Sequence, residues 1–219
     1  MTLSLQSVAC EKGGFVLFSN ITQTLTAGEL LFVAGDNGSG KTTLLRILAG
    51  LNSSYEGCVY WSGSDIRTVW SLYAQSLLYL GHQPALKARL TARENLLWYA
   101  QCVGANANDV TAALLGMGLR GRVDLPVYQL SAGQQRRVVL ARLLLPAHSL
   151  STGHQQARPQ KLWILDEPFT ALDAQGFAAV FMALRMHLAN GGMAVVTSHH
   201  GMEKIALPHR TLSLTEVNA

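Results

Sequence analysis

Charge is scarce in this sequence. Only 14% of its 219 residues are Asp, Glu, Lys or Arg, and no basic run forms the stripe that a nucleic-acid partner requires. Cysteine is scarcer still: Cys10, Cys58 and Cys102 stand alone, with no CxxC pair and no metal-ligand spacing. That excludes a disulfide framework and a thiolate metal site, and scattered thiols suit a reducing compartment. Long hydrophobic runs are also missing. Apolar stretches such as VVLARLLLPA are interrupted by Arg or Pro and fall short of the roughly 20 residues that span a bilayer. Any role at a membrane is therefore expected to come through another subunit. The opening MTLSLQSVAC has neither a basic leader region nor a long apolar core, so no secretory signal is expected. No internal repeat is visible.

What remains is ample core material, with 49% hydrophobic residues, enough for one buried α/β core with a small subdomain. Disorder is not expected as the main state. The net charge of +4 and pI near 9.1 suit an anionic partner such as nucleotide phosphates or a lipid surface, although ordinary surface composition accounts for them equally.

Residues 30–34 (LLFVA) form a short apolar run that ends in a Gly-rich turn, followed by helical spacing in TTLLRILAGL. Residues 161–168 (KLWILDEP) and 193–198 (MAVVTS) are apolar on both alternations, as strands buried on two faces of a parallel sheet are. Between them, Phe177, Phe181, Leu184 and Leu188 share one helix face, stopped by Gly191 and Gly192. Strands alternating with helices predict a doubly wound α/β sheet with ligands at the strand carboxyl ends. The first 30 residues alternate in short pieces and predict an antiparallel β flank. Residues 84–127 read as helices and loops. The expected division is therefore a core of 1–84 and 141–219 with an inserted α-helical subdomain at 85–140. Residues 147–160 (AHSLSTGHQQARPQ) are almost wholly polar and read as a surface loop without an assigned function.

The segment from Gly35 to Thr42 (GDNGSGKT) matches G-x-x-x-x-G-K-[ST] between a strand and a helix, the context that gives the pattern its meaning. Gly35, Gly38 and Gly40 let the backbone curl so that successive N–H groups face phosphate oxygens. Asp36, Asn37, Ser39 and Thr43 complete the candidate phosphate-binding set, and the helix beginning near Lys41 adds its positive end. Lys41 supplies an ammonium to the phosphates, and the Thr42 hydroxyl is a hard ligand for Mg²⁺. A chance Gly-rich turn would not bring this flanking strand and helix. Residues 162–167 (LWILDE) place Asp166 and Glu167 at the end of a buried strand, where two acids cost several kcal/mol, on the order of 3–5, without a cationic partner. Asp166 is the candidate metal ligand and Glu167 the candidate base for the attacking water. An exposed acidic turn before Pro168 is the alternative reading. His199, after the last apolar strand, is a further candidate for the γ-phosphate.

A second anion site is expected at Ser131, Gly133 and Gln134 (LSAGQQ), at the start of the helical run QRRVVLARLLL. With it the chain resembles the ABC (ATP-binding cassette) ATPases, whose signature is close to LSGGQ, Ala132 replacing one Gly. The resemblance spans essentially the whole chain, in order: phosphate loop, Gln83, LSAGQ, LWILDEP, Ala171-Leu172-Asp173 and His199. It implies a P-loop NTPase fold, ATP and Mg²⁺ as ligands, and a head-to-tail dimer with a second copy holding each ATP between one phosphate loop and the other copy's Ser131 and Gly133. It also implies that Gln83 contacts Mg²⁺ and water, Asp173 lies at the dimer contact, and His199 senses the γ-phosphate. The adenine-stacking aromatic of these ATPases has no counterpart in Cys10–Gly14 (CEKGG), and Phe15 is the nearest candidate.

Residues 79–96 (YLGHQPALKARLTARENL), with Cys10-Glu11, Leu17-Phe18 and 166–173 (DEPFTALD), resemble the haem-exporter ATPases of bacterial cytochrome c maturation. That likeness implies a peripheral place on the cytoplasmic face of the inner membrane, against integral membrane transporter subunits that meet the GHQP segment and the helix after it. No direct haem site is evident: there is no CxxCH, and His82 reads as a packing or hydrogen-bonding residue rather than a ligand. An ATPase for another exporter is the first alternative. A soluble ABC protein acting on DNA or ribosomes would carry coiled-coil insertions or two cassettes, and a non-hydrolysing regulator would not need Glu167.

Overall fold

The computed structural model describes residues 1–146, 161–198 and 207–214. They divide into two units: Met1–His82, Lys161–Glu167 and His187–Ala219 form the first, Gln83–Gln160 and Pro168–Met186 the second.

In the first unit, the alternating N-terminal pattern becomes β1 (Thr2–Lys12) and β2 (Phe15–Thr26), paired antiparallel. The apolar run becomes β3 (Leu30–Ala34), and the helical spacing after the glycines becomes α1 (Lys41–Leu48). Next come β4 (Glu56–Trp61), the short β5 (Ser64–Asp65), α2 (Trp70–Ser76) and β6 (Leu77–Leu80). Strands β1, β2, β4 and β5 make an antiparallel sheet in the order β2-β1-β4-β5. The LWIL run is β7 (Leu162–Leu165), MAVVT is β8 (Met193–Thr197), and β9 (Arg210–Ser213) closes a parallel sheet in the order β6-β7-β8-β3-β9.

The core follows strand alternation. Leu31, Val33, Leu162, Ile164, Met193 and Val195 project from one face of the parallel sheet into a cluster with Leu44, Leu45 and Leu48 of α1 and with Leu3, Leu5 and Val8 of β1. The alternate residues Phe32, Trp163, Leu165 and Val196 are buried as well, which explains why these strands read as unbroken apolar runs.

One partly buried titratable group packs on this sheet. The His187 ring stacks on Trp163, with centroids 3.9 Å apart and planes 9° from parallel. Its Nε2 lies 3.0 Å from the Met193 carbonyl, and the N–H there donates. Burial pushes its pKa down to about 4, so the fold binds the neutral ring. Between pH 6.5 and 4 the unfolded chain binds more protons than the folded one, so stability falls as the pH drops through that window and is fully present above it. The loss amounts to on the order of 3 kcal/mol, at about 1.4 kcal/mol per pH unit of displacement. Urea unfolding followed across pH 4 to 7 should show it. His187→Gln keeps a donor for Met193 and should flatten that part of the profile.

The second unit is helical: α3 (Ala92–Val103), α4 (Ala107–Gly116), α5 (Ala132–Leu140) and all but the last residues of α6 (Ala174–Ala189), with single 3₁₀ turns at Val127–Gln129 and Ala141–Leu144. Three starts carry reciprocal capping boxes, Thr91 with Glu94, Asn106 with Asp109, and Ser131 with Gln134, each satisfying two N–H groups that the first turn leaves open. Arg142, largely desolvated, lies 3.8 Å over the Tyr99 ring. Asn95 is buried: its Oδ1 accepts from the Lys87 N–H, and its Nδ2 donates to the carbonyls of Lys87, Leu90 and Thr91. One side chain thus ties down the loop after GHQP.

The unit extends beyond the stretch 85–140 expected from sequence. Residues Pro168–Met186, expected in the core, group with the helices. The ties are long-range: Arg137 of α5 donates to Asp173 at 2.6 Å, and Gly133 packs against the Ala171 carbonyl. Among the described residues, no helix is long and apolar enough to cross a membrane.

Candidate functional site: a phosphate loop facing two buried acids

The loop between β3 and α1 depends on two glycines for close approach. A Cβ on Gly35 (φ +149°) would lie 2.5 Å from Ser39 Oγ and 2.6 Å from the Leu214 carbonyl, and one on Gly40 (φ +90°) would meet the Phe18 ring at 2.9 Å. Side chains fit at neither place. The second contact is where β2 leans on the loop and sets its position. Lys41 turns back over it, Nζ donating to the carbonyls of Gly35 at 2.6 Å and Asp36 at 2.7 Å. Its ammonium is thereby held among the loop amides that would receive a phosphate. Lys12, Leu17, Asn37, Lys41, Thr42 and Glu167 are among the residues lining a cleft of about 300 Å³.

The second half comes from β7. Asp166 is 2% exposed. Its backbone N–H donates to the Leu80 carbonyl of β6, and its Oδ2 accepts from Thr42 Oγ1 at 2.9 Å. The phosphate loop and the acidic strand end, 124 residues apart in the chain, are therefore in direct contact. Thr197, wholly buried at the end of β8, acts twice: its Oγ1 donates to Asp166 Oδ1 at 2.7 Å and accepts from the Glu167 N–H at 3.0 Å. Glu167 adopts φ +52°, a left-handed conformation that non-glycine residues rarely hold and that surrounding contacts must enforce. The Thr197 hydroxyl is one such contact. His82, after β6, brings Nδ1 to 3.8 Å from Glu167 Oε2.

Thr42 and Asp166 offer hard oxygen donors. Among the described residues, no three His, Cys, Asp or Glu side chains gather into a self-contained metal cage. A hydroxyl and one carboxylate suit Mg²⁺, which keeps several waters and takes phosphate oxygens as its other ligands.

Sequence reasoning overlooked Thr197. The signal was available, since a polar residue ends the apolar run MAVVT as Asp166 ends LWIL. Thr197→Val is nearly isosteric but leaves an Asp166 oxygen and the Glu167 N–H without this partner. Stability should drop by about 1–3 kcal/mol, which chemical denaturation measures.

In the helical unit, Ser131 caps α5, its Oγ accepting from the Gln134 N–H at 3.3 Å while Gln134 Oε1 accepts from the Ser131 N–H at 3.0 Å. Gln135 donates to the carbonyls of Val127 and Leu130, which pins the preceding turn. The Asp173 carboxylate accepts from the Gly176 N–H and pairs with Arg137; the backbone donor first, then the guanidinium, hold its pKa below the ordinary range. Gln83 is exposed at the start of this unit. A second cleft, of about 390 Å³, is lined by Ala85, Lys87, Leu90, Glu94, Trp98 and Tyr99 among others, with Trp98 59% exposed. Phe15 is exposed and is not among the residues lining the phosphate-loop cleft, where Lys12 and Leu17 represent the hairpin. His199 and the polar stretch 147–160 lie outside the described residues.

Residues 18–170 match the ABC transporter family. The chain is 46% identical over 203 residues to the cytochrome c biogenesis ATP-binding export protein CcmA of Methylococcus capsulatus, covering 92% of each. It is 42% identical over 217 residues to the protein of the same name from Shigella flexneri, covering 99% of this chain and 98% of the relative. Its fold is similar to that of an ABC transporter ATP-binding protein from Pyrococcus furiosus, at TM-score 0.76, 22% identity and 98% coverage of both chains. It is also similar to a dimeric ATP-binding cassette bound to ADP and Pi, at TM-score 0.79 and 23% identity, over 99% of this chain and 97% of that one. The chain belongs to the ABC transporter family of ATP-binding proteins and, within it, to the cytochrome c biogenesis ATP-binding export proteins.

Proposed function

We propose that this chain binds and hydrolyses Mg²⁺-ATP as the motor subunit of a membrane complex serving cytochrome c maturation, by export of haem or release of the haem-loaded chaperone. The observation that carries the enzymatic part is the Thr42–Asp166 hydrogen bond, with Glu167 lining the same cleft as Lys41 and Thr42. Backbone N–H groups from Asn37 to Thr43 cradle the β- and γ-phosphates, and Lys41 adds a point charge. Thr42 and Asp166 hold Mg²⁺, which when bound neutralises charge building on the phosphate oxygens. Glu167 orients the attacking water and takes up its proton. Gln83 and His199 are assigned to the water and γ-phosphate side, as their positions in the family pattern imply.

Ser131, Gly133 and Gln134 are assigned to the ATP of a second copy: the α5 N-terminus presents N–H groups and a hydroxyl to an anion. Asp173 would lie at that dimer contact. The GHQP segment, the loop held by Asn95 and the apolar cleft beside Trp98 are assigned to the integral membrane partner, which places the chain at the cytoplasmic face of the inner membrane. The relatives at 42–46% identity, named for cytochrome c biogenesis and export, support that pathway.

The test is complementation of a bacterial strain that makes no holocytochrome c because it lacks its own ATPase of this kind. The chain, expressed with its cognate membrane subunits, should restore haem-stained cytochromes c. Failure by a well-expressed, ATP-hydrolysing protein would move the assignment to another exporter.

A further inference from the structure

We propose that His82 is a positioning residue for Glu167, holding the carboxylate in the orientation that receives the water proton. This rests on the catalytic reading of Glu167 above.

The register of the parallel sheet brings the two together. β6 pairs with β7 so that Leu80 lies opposite Leu165, and the Asp166 N–H continues the ladder to the Leu80 carbonyl. Two residues further along, His82 comes level with Glu167. The ring reaches across, with Nδ1 3.8 Å from Oε2. The main chain of Glu167 is set by φ +52° and by Thr197, whereas the contact from His82 is made to the carboxylate itself. The Glu167 side chain is 10% exposed whereas that of His82 is 64% exposed. The ring can therefore turn the remaining fraction of an ångström into hydrogen-bond range without disturbing the core.

A neutral imidazole always has one N–H. Donated to Oε2, it directs one carboxylate oxygen and leaves the other for water. Orientation of a base is worth kinetic factors because the reaction requires near-attack geometry. His82 touches neither phosphate nor water in this account and acts through Glu167 alone.

The experiment compares the purified full-length protein with His82→Ala and His82→Gln, measuring ATP hydrolysis against Mg²⁺-ATP concentration and thermal unfolding of each. A carboxamide N–H can replace the ring donor, whereas alanine cannot. The expected result is a fall in kcat of about tenfold for His82→Ala, with KM for ATP unchanged, and recovery of most of that loss in His82→Gln. Wild-type kcat in His82→Ala would overturn the proposal. So would a change confined to KM, or a glutamine variant as slow as the alanine one. If the wild-type protein itself hydrolyses no ATP, the ATPase reading falls first, an outcome distinct from active wild type with indifferent variants.

Discussion

Glu167→Gln is expected to bind ATP as the unsubstituted protein does while steady-state hydrolysis falls by roughly 10²–10⁴-fold, the usual range for removing a positioned base. The change is one atom in size. The N–H to Thr197 Oγ1 survives, and neither the loop amides nor Lys41 is touched. The amide no longer takes a proton from water. Since hydrolysis alone is lost, ATP should accumulate on the variant, and any ATP-dependent dimer should become longer-lived. Filter binding or a fluorescent ATP analogue measures the first property, phosphate release the second, and size-exclusion chromatography with ATP the third. Turnover near that of the unsubstituted protein would remove Glu167 from its role.

Ser131→Arg has a second large expected effect, on assembly. In the chain by itself Ser131 is a helix cap, and loss of such a cap costs about 1 kcal/mol, too little to unfold the protein. Arginine adds bulk where the other copy's ATP would sit. Binding of ATP to the monomer should therefore remain, while ATP-driven dimerisation and hydrolysis fall to background. Ser131→Ala separates the two contributions, since it removes the cap and leaves the space open. Its dimerisation should weaken only partly. Light scattering of Ser131→Arg in the Glu167→Gln background, where ATP persists, gives the clearest reading, and a preserved dimer would argue that Ser131 faces no partner nucleotide.

Both substitutions fall on motifs visible in the sequence, because each motif is local. The Gly35–Thr42 loop is a contiguous strand, turn and helix start, although the reasons for Gly35 and Gly40, the approaches of Leu214 and Phe18, are tertiary. The Ser131–Gln134 capping box is likewise closed within four residues. The apolar run LWIL advertised a strand buried on both faces, and Asp166 and Glu167 at its end are buried rather than an exposed acidic turn. The extent of the helical unit was less legible. Its claim on Pro168–Met186 depends on Arg137 meeting Asp173 across 36 positions, and pattern along the chain carries no information about such pairings.

The phosphate-loop motif, the two acids at the end of β7 and the family were thus legible in the sequence itself, since spacing along one or two elements suffices to define them. Only the tertiary structure decided what surrounds the acids. Parallel register brings β6 and β8 to either side of β7. That register, a matter of hydrogen bonding between strands distant in the chain, sets His82 beside the Glu167 carboxylate and Thr197 under its amide. Neither residue belongs to a motif with Glu167, because the strands that carry them meet it only after the sheet has formed.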